Sequence, residues 1–208
     1  MGMEREIKLA LPAERVQEAT QWFVARTGVE GRPVKLVNIY FDTPQLTLAT
    51  SKSALRLRQT PDGWLQTFKT VGHAINGLHS RHEWEMPVAG AKLEIDALLR
   101  ACDEPAAADA LREAAHTLID LFRTNFTRTL WHVKAHGAEI EAAIDLGDVL
   151  AEVDGKTRRA PISEVELELK SGDEAALRAL AAHLGQEITG LAPDNISKAQ
   201  RGYRLRAG

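Results

Sequence analysis

The chain has a single cysteine, Cys102, so no internal disulfide can form. No second Cys or His stands at zinc-ligand spacing from it, and it reads as a structural thiol near a loop. No apolar run approaches the ~18 residues that a membrane span needs, and the N-terminus opens on charged residues instead of a signal-peptide core, which points to the cytoplasm and away from membranes. Nor does one sign of charge dominate: 26 Lys and Arg against 29 Asp and Glu leave −3 at pH 7. Nothing global then draws the protein to nucleic acid, and any anion site must be local. Internal repeats and low-complexity tracts are lacking too. What is there is 208 residues, 44% hydrophobic, enough for one sizeable core and read as one domain over 1–208.

Short segments of period two alternate with a few helical ones. Met3 to Leu11 reads as a strand; Pro12 starts a helix with Val16, Ala19, Thr20 and Phe23 on one face, and Gly28 ends it. Val37 to Asp42 is a second strand. Ser53 to Gln59 and Trp64 to Lys69 flank the hairpin signal Asp62-Gly63, and Leu78 to Pro87 follows. The Ala- and Leu-rich stretch of about 93–122 predicts helices inserted into the sheet order. Strands return at Asn125 to Ala135 and Glu139 to Asp145, joined across His136-Gly137, and at Ile162 to Lys170 after a turn at Gly155. Ser171 and Glu174 have capping-box spacing for a last helix ending at Gly185, and the basic tail from Asn195 to Arg206 has no settled structure. Antiparallel strands with helices outside define an α+β protein.

Charge follows the alternation. Glu4, Glu6 and Lys8 share one face of the first strand, opposite Arg5, Ile7 and Leu9; Arg56 and Arg58 oppose Leu55 and Leu57. Arg81, Glu83 and Glu85 oppose His82, Trp84 and Met86, and Glu164, Glu166, Glu168 and Lys170 oppose Val165, Leu167 and Leu169. An ordinary sheet with one solvated face and cross-strand ion pairs would look the same. The sorting of signs argues otherwise, because the first strand and Ile162 to Lys170 bring carboxylates while Ser53 to Gln59 brings only arginines. If the sheet closes with this face inward, acids line one wall and bases another. Clustered carboxylates need a cation among them, and hard Mg²⁺ or Mn²⁺ takes oxygen ligands; guanidinium forks and ammonium groups match phosphate oxygens. Two other signals are set aside. Gly155-Lys156-Thr157 lacks the first glycine of a phosphate loop at Leu150, and His73, His79 and His82 fit no common zinc pattern, with Met86 standing where a zinc-protease helix needs its second His.

Glu4-Arg5-Glu6-Ile7-Lys8 resembles the ExExK signature of the CYTH superfamily, which includes thiamine triphosphatases, bacterial inorganic triphosphatases, tunnel-type RNA triphosphatases and class IV adenylyl cyclases. Tyr40-Phe41-Asp42-Thr43-Pro44, Leu55-Arg56-Leu57-Arg58, Thr67-Phe68-Lys69, Arg81 to Glu85, Arg128, Ile144-Asp145, Glu164 to Lys170 and Ser197-Lys198-Ala199 follow in the family's order, so the likeness covers most of the chain. It implies a closed antiparallel β-barrel of about eight strands, a tunnel with a charged interior and helices packed outside. It further implies metal-facing carboxylates at Glu4, Glu6, Asp145, Glu166 and Glu168, and phosphate-binding cations at Lys8, Arg56, Arg58, Lys69, Arg81, Arg128 and Lys198. Glu164 shares their face without an assigned role, and Arg81, Glu83 and Glu85 are expected to complete the wall through ion pairs. The activity so implied is Mg²⁺- or Mn²⁺-dependent hydrolysis of the terminal phosphate of tripolyphosphate or a nucleoside or thiamine triphosphate, with Lys69 and Tyr40, or a second ion, orienting water. A strand aromatic such as Tyr40 is otherwise a packing residue. A cyclase and a polyphosphate-binding module without turnover are the rival readings, and bacterial relatives of this type often continue into a helical CHAD domain.

Overall fold

Strands of alternating character need neighbours on both sides, and the sheet supplies them by closing on itself. The computed structural model describes residues 2–70 and 72–208. Its strands are β1 (Gly2–Ala10), β2 (Arg32–Asp42), β3 (Ser53–Thr60), β4 (Gly63–Thr70), β5 (His73–Ile75), β6 (Leu78–Val88), β7 (Ile119–Ala135), β8 (Ala138–Val153), β9 (Lys156–Ser171) and β10 (Ala192–Pro193). Eight of them run antiparallel in the order β1-β9-β8-β7-β2-β3-β4-β6, and β6 pairs with β1 again, Arg81 opposite Glu4, so the barrel has no free edge there. The short β5 and β10 extend β6 and β1. Two-residue turns at His136-Gly137 and Asp154-Gly155, all four residues at positive φ, join β7 to β8 and β8 to β9 with the twist a hairpin needs.

The helices are α1 (Val16–Thr27), α2 (Thr47–Thr50), α3 (Ile95–Ala101), α4 (Pro105–Ala114), α5 (Glu174–Glu187) and α6 (Lys198–Ala207). α1 and α5 cover Ile7, Leu9, Ile140, Val165 and Leu167, the outward faces of β1, β8 and β9, with Phe23 stacked on Trp131 at 5.0 Å. α2, α3 and α4 cover Leu55, Phe68 and Trp84 of β3, β4 and β6. Two of the three apolar clusters thus lie outside the barrel wall, each buried Leu or Phe contributing roughly 1.5–3 kcal/mol, and one half of the interior is left to polar groups.

Several expectations need correction. Pro12 opens a 3-10 turn, Ala13–Arg15, before α1 begins. The predicted helical insertion stops at Ala114; Ile119 to Phe122 are strand, because Phe122 pairs with Tyr40 and stacks on its ring at 4.7 Å. β8 and β9 run well beyond their predicted ends, since continuous cross-strand pairing carries weak strand formers such as Ala151 and Lys156. Ser171 is the last residue of β9 and caps nothing; Asp173 caps α5, its Oδ1 accepting from the Ala175 amide at 2.8 Å. Gly185 does not end α5, because buried Leu184 and Ile188 hold the last turn to the core. The unsettled tail is α6, with a capping box between Ser197 and Gln200.

One end of the barrel interior is apolar. Phe122 and Phe126 share the inward face of β7 with Arg128, and with Val149, Ala151 and Ile162 they meet Ala199, Tyr203 and Leu205 of α6. Gly202 is required at this contact, since a Cβ there would lie 2.1 Å from the Phe122 ring. Tyr203 Oη donates to Asp42 at 2.9 Å, and the same carboxylate accepts from the amides of Thr43, Leu48 and Ala49. α6 is thereby seated against β7, β8 and β9 with its first residue, Lys198, turned into the barrel.

Candidate functional site

The charged half of the interior surrounds a cavity of about 930 Å³. Glu4, Glu6, Glu166, Glu168, Lys8, Tyr40, Arg56, Arg58, Lys69, Arg81, Arg128 and Lys198 all line it. Of the ligands implied by the resemblance, Asp145 alone does not line it, and neither does Glu164, which has no role assigned from the sequence. Nine Lys or Arg and seven Glu line this space, with Asp145 and Glu164 directly behind the wall, so both signs of charge are gathered around it.

On one side β1, β6 and β4 interleave acids with bases. Arg81 donates from Nε to Glu4 at 2.6 Å and from Nη2 to Glu6 at 2.5 Å, bridging two residues that alternation puts on one face. Lys69 Nζ lies 3.0 Å from Glu4 and 2.9 Å from Glu83. Burial raises the Glu4 carboxyl, but Lys69 and Arg81 outweigh it and hold the group well below the usual carboxylate range. Glu83 goes the other way: burial first, then the neighbouring Glu4 charge, push it up despite Lys69 and Arg56. Glu168, in register with Glu6 across β1 and β9, is also raised by burial, against the pull of Lys170 at 2.7 Å.

Arginines from β3 and β7 gather on the facing wall. Arg56 donates to Thr67 at 3.1 Å and to Glu85 at 3.2 Å, and Thr67 in turn donates to Glu85 at 2.8 Å. Burial raises the Glu85 carboxyl, but Arg56 and Arg58 lead the opposing charges and bring it down to about 2. Arg58 is different: its Nε donates to Asn38 Oδ1 at 2.7 Å, Asn38 is oriented by Thr124 at 2.9 Å, and among the described residues it has no carboxylate partner. Burial, then Arg56 and Arg128, push its guanidinium down to about 10. Tyr40 sits between these cations; burial would raise its phenol, yet Arg56, Arg58 and Lys198 lower it overall. Asn38 and Thr67 escaped the sequence reading because they are uncharged, although each stands on the inward parity of its strand.

Behind the lumen wall lies a closed charge network. Asp145, Glu164 and Glu166 place carboxylate oxygens within 4.8 Å of one another, a spacing that could hold a metal ion. Lys198 fills that position: its Nζ is 2.6 Å from Asp145, 2.9 Å from Glu166 and in contact with Glu164. Arg128 adds a bidentate pair to Asp145 at 2.8 and 2.7 Å and also reaches Glu166, while Lys8 lies 3.0 Å from Glu166 and 3.5 Å from Glu164. Glu164, unassigned from the sequence, is fully buried and is taken from outside by Arg201 at 3.1 Å. Burial raises the Asp145 carboxyl, but Arg128 and Lys198 overcome it and leave it lowered; Glu166 is lowered by Lys198, Lys8 and Arg128 in the same way. A depressed carboxyl stabilises the fold above its unfolded pKa, about 3.9 for Asp and 4.3 for Glu. That contribution is lost as pH falls through the folded value. Unfolding free energy measured from pH 6 to 2 is therefore expected to drop steeply below about pH 4, with a shallower slope in Asp145→Asn; equal slopes would contradict the assignment.

The CYTH domain model matches residues 2–203, nearly the whole barrel. The chain belongs to the CYTH family. This CYTH chain is 35% identical over 205 residues to the inorganic triphosphatase of Haemophilus influenzae, covering 99% of the chain and 55% of the relative. The chain thus spans about half the length of that curated relative. Among solved structures, the CYTH barrel is similar to a proposed adenylyl cyclase from Hippeastrum with a dominant triphosphatase activity, at TM-score 0.60 and 18% identity over 97% of this chain and 95% of that one. It is also similar to the Mimivirus capping enzyme triphosphatase, at TM-score 0.53 and 12% identity over 90% and 89%. At these identities the structural likeness is one of fold.

Proposed function

We propose that this CYTH domain hydrolyses the terminal phosphoanhydride of inorganic triphosphate, or of a related organic triphosphate, inside the barrel. The observation that carries the reading is Arg58: a cation without a carboxylate partner among the described residues, beside Arg56 and Arg128, in a cavity whose other wall interleaves acids with bases. An anion is the missing partner. The relatives named for triphosphatase activity support the same reaction class.

The donor set fits a hard divalent cation, Mg²⁺ or Mn²⁺. Glu4 and Glu6 on β1 and Glu166 and Glu168 on β9 offer only oxygen atoms from neighbouring strands, with Glu6 directly opposite Glu168. Asp145, named among the ligands from the resemblance, is better assigned to holding Arg128 and Lys198 in place, because both already occupy its oxygens and it has no lumen surface. A bound divalent ion would supply charge neutralisation and Lewis-acid polarisation of the phosphoryl oxygens. Arg58 binds and orients the chain of phosphates with donors that no carboxylate among the described residues holds, and Arg56, Arg81, Arg128, Lys8 and Lys198 join it by exchanging contacts they now make with glutamates. Lys69, suspended between Glu4 and Glu83, is placed to orient the terminal phosphoryl group and the attacking water, and Tyr40, stacked on Phe122, steadies the two arginines beside it.

Phosphate release from tripolyphosphate, ATP and thiamine triphosphate with Mg²⁺ or Mn²⁺ tests the reading. Tripolyphosphate should be cleaved to pyrophosphate and phosphate, with turnover reduced about 10²–10³-fold in Lys69→Ala and in Glu6→Gln. Near-normal turnover in either variant would refute its role, cyclic AMP from ATP would favour a cyclase, and tight binding without turnover would favour a module.

A further inference from the structure

A second cleft, about 650 Å³, opens on the outside of the barrel where α6 crosses β9. Arg158 and Arg159 of β9 and Arg201 and Arg204 of α6 line it, with Ala160, Leu205 and Gly208. The fold neutralises two of the four. Arg159 pairs with Asp148, Nε to Oδ1 at 2.5 Å, and Arg201 lies 2.9 Å from Asp194 and 3.1 Å from Glu164. The other two have no carboxylate partner among the described residues. Arg158 Nη1 donates to the carbonyls of Leu205 and Arg206 at 3.0 and 3.1 Å, which anchors its fork at the cleft, and Arg204 is exposed.

We propose that this cleft is a second oxyanion site, outside the tunnel, that takes a phosphoryl group of an inorganic polyphosphate chain. Guanidinium groups from two different elements border one open space: the Arg204 fork, without a partner among the described residues, can meet two phosphate oxygens, and Arg158, whose Nη1 is held by the two carbonyls, adds its charge beside it. The lining offers cationic donors and two small apolar side chains, with no aromatic ring on which a base or peptide side chain could stack. The cleft is separated from the tunnel by one carboxylate, Glu164, which Arg201 holds from outside and Lys198 and Lys8 from inside. The site does not depend on turnover in the tunnel.

Calorimetric titration of the protein with tripolyphosphate, without divalent cations, separates the two sites. The wild type should show a tight and a weaker class. Arg204→Glu alone, and Arg158→Ala with Arg204→Glu, should weaken the second class at least tenfold and leave the first unchanged, while Arg58→Ala should do the reverse. Orthophosphate should displace the weaker class only at much higher concentration, since it spans fewer forks. Arg204→Glu changes an exposed residue, so an unchanged thermal midpoint keeps the result independent of folding. A single class of site in the wild type, or a second class that survives Arg204→Glu, would overturn the proposal.

Discussion

Lys198→Met should lower the unfolding free energy by about 3–5 kcal/mol, the cost typical of removing one partner from a buried charge cluster. The ammonium is buried and touches Asp145, Glu164 and Glu166 together, so methionine keeps the length of the side chain and removes the charge that makes three adjacent carboxylates compatible. Lys8, Arg128 and Arg201 remain, but none contacts all three acids. Adding Glu164→Gln to Lys198→Met should restore part of the loss, because one fewer buried negative charge then needs a partner. Denaturant unfolding at pH 7 measures both; an unchanged midpoint in the single variant would mean that the network contributes nothing to the fold.

Arg58→Ala has the opposite signature. Here kcat/KM for tripolyphosphate should fall about 10²–10³-fold, as for loss of one charge-stabilising donor, while the free protein becomes no less stable. Its guanidinium is desolvated, repelled by Arg56 and Arg128, and tied only to the neutral Asn38. Under the proposed function, a residue held at a cost to the fold and without a carboxylate of its own among the described residues is a ligand-binding one. Arg58→Lys should recover only a fraction, since an ammonium restores the charge without the fork. A fall in activity matched by a fall in the thermal midpoint would instead mark Arg58 as a structural residue.

The inward acids and bases were readable because strands turn alternate side chains to one face: Glu4, Glu6 and Lys8, Arg56 and Arg58, and Glu166 and Glu168 carry that signal in full. Closure was less legible, since nothing local marks the pairing of Glu4 with Arg81 across the seam between β1 and β6. Division of the interior into a charged half and an apolar half was hidden for a similar reason. Phe122 and Phe126 look like ordinary strand core until α6 is seen to meet them, and α6 has an average composition so basic that it gives little helical pattern. By the resemblance Asp145 suits a metal ligand, and only geometry adds that Lys198 and Arg128 stand on its oxygens. Neutral residues that aim charged ones, Asn38 at Arg58 and Thr67 at Arg56, carry no charge pattern to notice.

A crystal of the protein soaked with tripolyphosphate and Mn²⁺, with the metal located by anomalous scattering, tests the central claim most directly. The phosphate chain should lie inside the barrel along Arg56, Arg58 and Arg128, with Mn²⁺ bonded to oxygens of Glu4, Glu6, Glu166 or Glu168. Tripolyphosphate and Mn²⁺ bound elsewhere while the barrel interior keeps its glutamate–cation pairs would contradict it.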